Sequence, residues 1–214
     1  MVILSIDSSS KCLSVALKID DSIDQNSVND ERASKVILVE IDRILKKYDI
    51  KRETIDYIVF NRGPGSFTGT RVASSVIQAI AYTHNIPVIG ISSMWLMAFH
   101  ASRIRPLDEY CCLKHAYGEM IYISHFSSPL NKKNINVKLI KKNKLSIKDN
   151  ENVVIEDSTF VKMFNLQHPN IINLSEHNKN LDAVSLIEAL ENDDYKDKNF
   201  NLEKTFPDYA DHEV

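Results

Sequence analysis

NRGPGSFTGTRV, residues 61–72, holds three of the five glycines in a chain of 214 residues. An average protein carries about 7% glycine spread along its length, so a scarce residue is concentrated here. Glycine is needed where the backbone takes positive φ or where another surface approaches closely. The stretch follows IDYIVF (55–60), which reads as a buried strand, and leads into a helix from about Thr68 to His84. A strand-to-helix turn of this kind suits an anion, because the first N–H groups of a helix lack intrahelical partners. Yet no Gly-Lys-Ser/Thr follows, and the spacing is not that of GxGxxG, so neither nucleotide fingerprint is met. Ser66 or Thr68 can cap the helix, and Arg71 falls in its first turn. Two readings stay open: Pro64 and the glycines make a tight turn, or the loop serves an anion or a partner.

The helix after the loop bears on that choice. VASSVIQAIAYT (72–83) is apolar or small nearly all round, and a helix without a charged face is buried on both sides. The second side is covered either by this chain or by another one, and small residues permit close helix-to-helix approach. Upstream, VILSID (2–7) and CLSVALKI (12–19) flank the turn residues SSSK and read as a strand pair. ERASKVILVEIDRILKKY (31–48) is helical by period, with Ala33, Val36, Ile37, Ile41, Ile44, Leu45 and Tyr48 on one apolar stripe. Downstream, IPVIGI (86–91) is a third apolar strand, and the serines of SSMWLMAFHA (92–101) can cap a further helix. Strands alternating with helices predict an α/β fold, with parallel pairing after an antiparallel start.

The polar, proline-bearing RIRPLDE (103–109) marks a boundary, giving an N-terminal α/β domain over 1–103 and a smaller one over 104–192. In the second, strands are expected at 110–116, 120–126, 135–140 and 153–155, and helices at 158–165 and 182–191. Residues 193–214 read as an acidic, partly disordered tail.

The formal net charge of −3 and pI near 6.2 argue against wholesale attraction to nucleic acid or membrane. MVILSID lacks a basic lead and is too short in its apolar run for a signal peptide. No stretch approaches the ~18–20 apolar residues of a membrane span. Three cysteines, Cys12, Cys111 and Cys112, suit a reducing compartment, so a cytoplasmic protein is expected. Residues 131–150 carry seven lysines and one acid, Asp149. Without interleaved aromatics for base stacking, that run reads as protection of an exposed edge strand before it reads as an RNA contact.

For catalysis the sequence offers little. No two of the seven histidines lie four apart, so no helical imidazole pair chelates a metal. Adjacent Cys111 and Cys112 point to opposite faces of a strand and read as ordinary strand residues. No Ser-His-Asp or Cys-His spacing nominates a nucleophile. Neither a metal site nor a catalytic residue is expected, which also disfavours a peptidase.

MVILSIDSSSKCLSVAL, GPGSFTGTRV and SSVIQAIAYTHNIPVIGISS together resemble the bacterial TsaB (YeaZ) family over roughly residues 1–100. Weaker echoes are YGEMIY (117–122) and PDY (207–209). The chain departs from the family at Ala33-Ser34 and at Lys114, His115 and Ala116. The resemblance implies an actin-like ATPase (ASKHA, ribonuclease H-like) fold of two α/β domains. It implies a cytoplasmic, non-catalytic subunit in the synthesis of threonylcarbamoyladenosine in tRNA. Such a subunit pairs with the catalytic paralogue TsaD, recruits the ATPase TsaE, forms a homodimer in isolation and meets tRNA only through the complex. Within that reading the interface comprises Ala33, Val36, Ile37, Phe67, Thr68, Arg71, Val72, Ala73, Ser75, Val76, Ala79 and Ile80. Asp7, Arg62, Gly63, Pro64, Gly65, Ser66 and Gly69 then lie beside a nucleotide or anion at the subunit junction, with no cofactor of the chain's own. The superfamily also allows a different class, a small ATPase or phosphotransferase acting alone through Asp7, although the second half has one glycine, Gly118, where nucleotide approach needs more.

Overall fold

The computed structural model describes residues 1–131, 135–190, 200–208 and 210–212, and its first sheet is built around β1 (Val2–Asp7). On one side β1 pairs antiparallel with β2 (Cys12–Ile19), which pairs antiparallel with β3 (Ser22–Asn29). On the other it pairs parallel with β4 (Tyr57–Gly63), itself parallel to β5 (Val88–Ser92), so the order is β3-β2-β1-β4-β5. Successive side chains of a strand point to opposite faces, and β1 uses both. Leu4 and Ile6 join the core with Ile37 and Ile41 of α1 (Ala33–Lys47) and Ile77 of α2 (Phe67–His84). Ser5, on the other face, donates through its hydroxyl to Ala183 O at 2.7 Å, at the start of α5 (Ala183–Leu190). Ser14 Oγ accepts from Ala183 N at 2.9 Å, so two buried strand serines satisfy the start of this helix.

β3 is a strand where the sequence reads as a polar gap. Its residues SIDQNSVN are exposed or half-buried, with no apolar alternation to announce them; backbone pairing with β2 makes the strand.

A second sheet repeats the plan. β6 (Glu109–His115) pairs antiparallel with β7 (Met120–Ser127), and β7 antiparallel with β8 (Lys138–Lys141). On its other side β6 is parallel to β9 (Val153–Ile155), and β9 to β10 (Ile171–Asn173). Read from β8, the order β8-β7-β6-β9-β10 matches β3-β2-β1-β4-β5 strand for strand and sense for sense. The second copy is reduced. Where the first has α1, residues between β8 and β9 form only a 3-10 turn at Lys142–Lys144, and α4 (Ser158–Phe164) is two turns long. Beyond β8 lies a short parallel β11 (Asp211–His212), pairing with Lys138 and Leu139. The lysine-bearing strand is therefore not a bare edge along that stretch, a correction to its reading as edge protection. Lys132 and Lys133 lie outside the described residues.

Two compact units result, and their bounds differ from the expected 1–103 and 104–192. The first comprises 1–92 with 182–208, and the second 93–181 with 209–214. Thus α3 (Ser93–Ile104) belongs to the second unit and α5 to the first. A tail over 193–214 is corrected in part: Phe200, Leu202–Thr205 and Asp208 are seated in the first unit, while 193–199 lie outside the described residues. Among the described residues no helix is long and apolar enough to cross a membrane.

Candidate functional site

The glycine loop owes its shape to the turn between β1 and β2. A Cβ on Gly65 would stand 2.2 Å from Ser9 O, and one on Gly69 2.0 Å from Ser8 O. These distances exclude any side chain, so both glycines serve close backbone approach. Gly63 takes a left-handed φ of +96° and precedes a cis Pro64. Polar bonds tie loop to turn: Ser66 N donates to Ser9 O at 2.6 Å, and Ser8 Oγ to Gly69 O at 2.8 Å. Ser66 caps α2, its hydroxyl accepting from Gly69 N at 3.2 Å. Of the two caps offered by the sequence, Ser66 is used.

Asp7 is at the centre of this contact, 2% exposed. Its carboxylate accepts from Ser9 N at 2.7 Å and from Asn61 Nδ2 at 2.9 Å. Asn61 Nδ2 also reaches Ser9 Oγ at 3.0 Å, and Asn61 Oδ1 accepts from Gly63 N at 3.0 Å. Asn61 escaped the sequence reading, although it stands at the head of the quoted stretch. A buried amide able to bond a carboxylate, a hydroxyl and a backbone N–H at once orders all three.

Arg62 is directed elsewhere. Its guanidinium pairs with Asp208 at 2.6 Å, while Asp208 N donates to Arg62 O at 2.7 Å. Burial pushes the Asp208 carboxyl up to about 6, against the nearby Arg62, which pulls it down. The same C-terminal strap follows α2. Ser74 Oγ donates to Thr205 O at 2.5 Å, Gln78 Nε2 to Thr205 Oγ1 at 2.9 Å, and Phe200 meets the Tyr82 ring edge-on at 5.8 Å.

α2 therefore has three sides. Ala73, Ile77, Ile80 and Ala81 are buried in the core, and Ser74 and Gln78 hold the strap. Phe67, Thr68, Arg71, Ser75, Ala79 and Tyr82 face solvent, with Val72 and Val76 half-buried beside them. Phe67 is 64% and Tyr82 76% exposed, and the Arg71 guanidinium lies 3.5 Å from the Phe67 ring centroid. On α1, Leu38 and Val39 are more than half exposed, whereas Ala33 and Val36 are half-buried. Among the nominated interface residues, Ile37 and Ala73 are packed in the chain's own core at 1% and 0% exposure, which leaves them no free surface, and Ile80 keeps 8%.

A duplicated strand plan, an acidic residue on the first hairpin and a glycine loop docked against it define the class: an actin-like, ribonuclease H-like α/β protein. Residues 27–126 match the family described as "TsaD: tRNA N6-adenosine threonylcarbamoyltransferase". The chain is 30% identical over 131 residues to the tRNA threonylcarbamoyladenosine biosynthesis protein TsaB of Buchnera aphidicola from Acyrthosiphon pisum, covering 61% of this chain and 59% of the relative. It is 32% identical over 125 residues to the Haemophilus influenzae TsaB, covering 58% and 53%. The aligned stretches thus span somewhat over half the length of these curated relatives. In fold it is similar to a Pseudomonas aeruginosa protein described as having similarity to peptidase YEAZ, with TM-score 0.74 at 18% identity over 98% of this chain and 99% of that one. The resemblance to the TsaB (YeaZ) family is thus borne out.

Proposed function

We propose that the chain is a cytoplasmic, non-catalytic accessory subunit in the synthesis of threonylcarbamoyladenosine in tRNA, pairing with the threonylcarbamoyltransferase TsaD. The supporting observation is the solvent face of α2: an aromatic at either end, Phe67 and Tyr82, and between them, beside Arg71, only the small exposed residues Thr68, Ser75 and Ala79. A face of that relief admits a partner helix at short range, and aromatic and Arg anchors are the side chains that carry interface affinity. On α1, Leu38 and Val39 are exposed apolar side chains as well. In this reading TsaE joins the pair, tRNA is met only in the assembly, and two copies of the chain associate through the same face when TsaD is absent. Non-catalysis fits the engagement of the Asp7 carboxylate by Asn61 and Ser9; a nucleotide, where one is held, belongs to the subunit junction near Ser66 and Arg71.

Ala79→Glu tests the reading directly. Co-purification with TsaD should fall at least ~10-fold, as expected for a charge buried in an interface core, while the isolated chain keeps its melting temperature. Undiminished pairing by a folded Ala79→Glu protein refutes the interface. Steady ATP turnover by the purified chain alone, lost in Asp7→Ala, would replace this reading with that of an independent ATPase.

A further inference from the structure

Outside the loop and α2, one cluster of side chains has no part in the function proposed above. β6 and β7 pair Cys111 directly with His125, which puts the two on one face of the second sheet. Cys111 N donates to Asn152 O at 2.8 Å, bringing Glu151, at the entry to β9, alongside the same pair. The Cys111 sulfur, a ring nitrogen of His125 and a carboxylate oxygen of Glu151 all lie within 4.8 Å of one another. His125 Nε2 is 3.1 Å from Glu151 Oε1. The other oxygen, Oε2, accepts from Lys148 N at 2.6 Å, which holds the carboxylate in its turn.

We propose that Cys111, His125 and Glu151 form a binding site for a zinc-class divalent cation in the second unit. Thiolate, imidazole and carboxylate in one place are a borderline-soft donor set, suited to Zn²⁺ and unlike the all-oxygen shells of Mg²⁺ and Ca²⁺. Tetrahedral zinc with bonds of about 2.0–2.3 Å holds its donors roughly 3.5 Å apart, so rotamer adjustment of His125 and Glu151 closes the set. His125 has room for this, its side chain being 60% exposed, and Glu151, 24% exposed, presents Oε1 while Oε2 stays on Lys148 N. Cys111 is fixed beneath them among Leu113, Ile123 and Val153. Solvent access over His125 leaves the fourth position to water. The bound cation takes the place of the thiol proton, which passes to solvent. A nucleophilic triad is the competing use of the same residues. The two uses part in the experiment below, because only a bound cation gives a thiolate-to-metal band.

The cluster does not depend on pairing with TsaD and is tested without it. The purified full-length chain, stripped with chelator, is titrated with Co²⁺ and then with Zn²⁺ under chelator competition. One equivalent of Co²⁺ should produce a thiolate-to-cobalt charge-transfer band that Zn²⁺ displaces. Cys111→Ser should remove the band. His125→Ala, at an exposed position, should weaken Zn²⁺ at least ~10-fold, no less than the loss of an outer-shell partner. Glu151→Gln should weaken it similarly. Absence of the band in the wild-type chain, its survival in Cys111→Ser, or unchanged Zn²⁺ affinity in a folded His125→Ala protein overturns the proposal and leaves a His125–Glu151 hydrogen bond.

Discussion

A methyl group on residue 69 would sit 2.0 Å from Ser8 O, far inside contact distance, with backbone on one side and the α2 cap on the other. Gly69→Ala should therefore destabilise the protein by about 1–3 kcal/mol, as overpacking does, read from the urea midpoint with the slope unchanged. Asp208 makes a prediction of the opposite kind. Its carboxyl, raised from 3.8 to about 6, holds its proton more tightly in the folded chain than in the unfolded one. Its contribution is fully present below about pH 4 and is lost as pH rises through about 6, a change of roughly 2–3 kcal/mol. Asp208→Asn should flatten that fall. Stability of the two proteins measured from pH 4 to 7 checks it, and parallel curves would show that Arg62 already dominates the site. Of these residues, the glycines were legible because their scarcity signals approach. Asn61 and Asp208 were not, because an amide or a carboxylate at those positions carries no signal until its partners are known.

At the scale of elements, α2 separates period from surroundings. Its apolar, uncharged sequence predicts a helix covered on more than one side, and the helix is there from Phe67 to His84. What covers it was not legible: the core takes Ala73, the strap takes Ser74, and solvent meets Ser75. Three consecutive small residues thus have three different surroundings. Ala73→Glu should cost at least ~3 kcal/mol, because a charge enters a sealed core. Ala79→Glu should stay within about 0.5 kcal/mol of wild type, as surface changes do. Chemical denaturation of both distinguishes core from face, and equal losses would refute the division. β3 fell to the opposite failure. No residue of β3 is fully buried on either face, so nothing demands apolar alternation, and SIDQNSVN looked like a gap.

For the molecule as a whole, the C-terminal strap carries the largest consequence. Residues 200–208 satisfy Ser74, Gln78 and Arg62 of the first unit, although more than a hundred positions separate them in the chain. Deleting 200–208 should therefore destabilise that unit by about 2–4 kcal/mol, since buried polar groups left without partners cost roughly 1–3 kcal/mol each and some are recovered by water. A melt of the truncated chain measures this, and an unchanged midpoint would show the strap to be ornamental.

Taken alone, the sequence determined the things that local physics governs. These were the spans of β1, β2, α1 and α2, the α/β class, the actin-like resemblance carried by the glycine loop, and the absence of any paired-histidine metal motif. Side-chain period and backbone propensity act over a few residues, so they are written in order along the chain. The tertiary structure alone decided that α3 and α5 each join the unit other than the expected one, that Ile37, Ala73 and Ile80 are core, and that Cys111, His125 and Glu151 meet. Those outcomes depend on strand pairing and on which buried polar group finds which partner, and such interactions join residues whose separation in sequence says nothing about their distance in space.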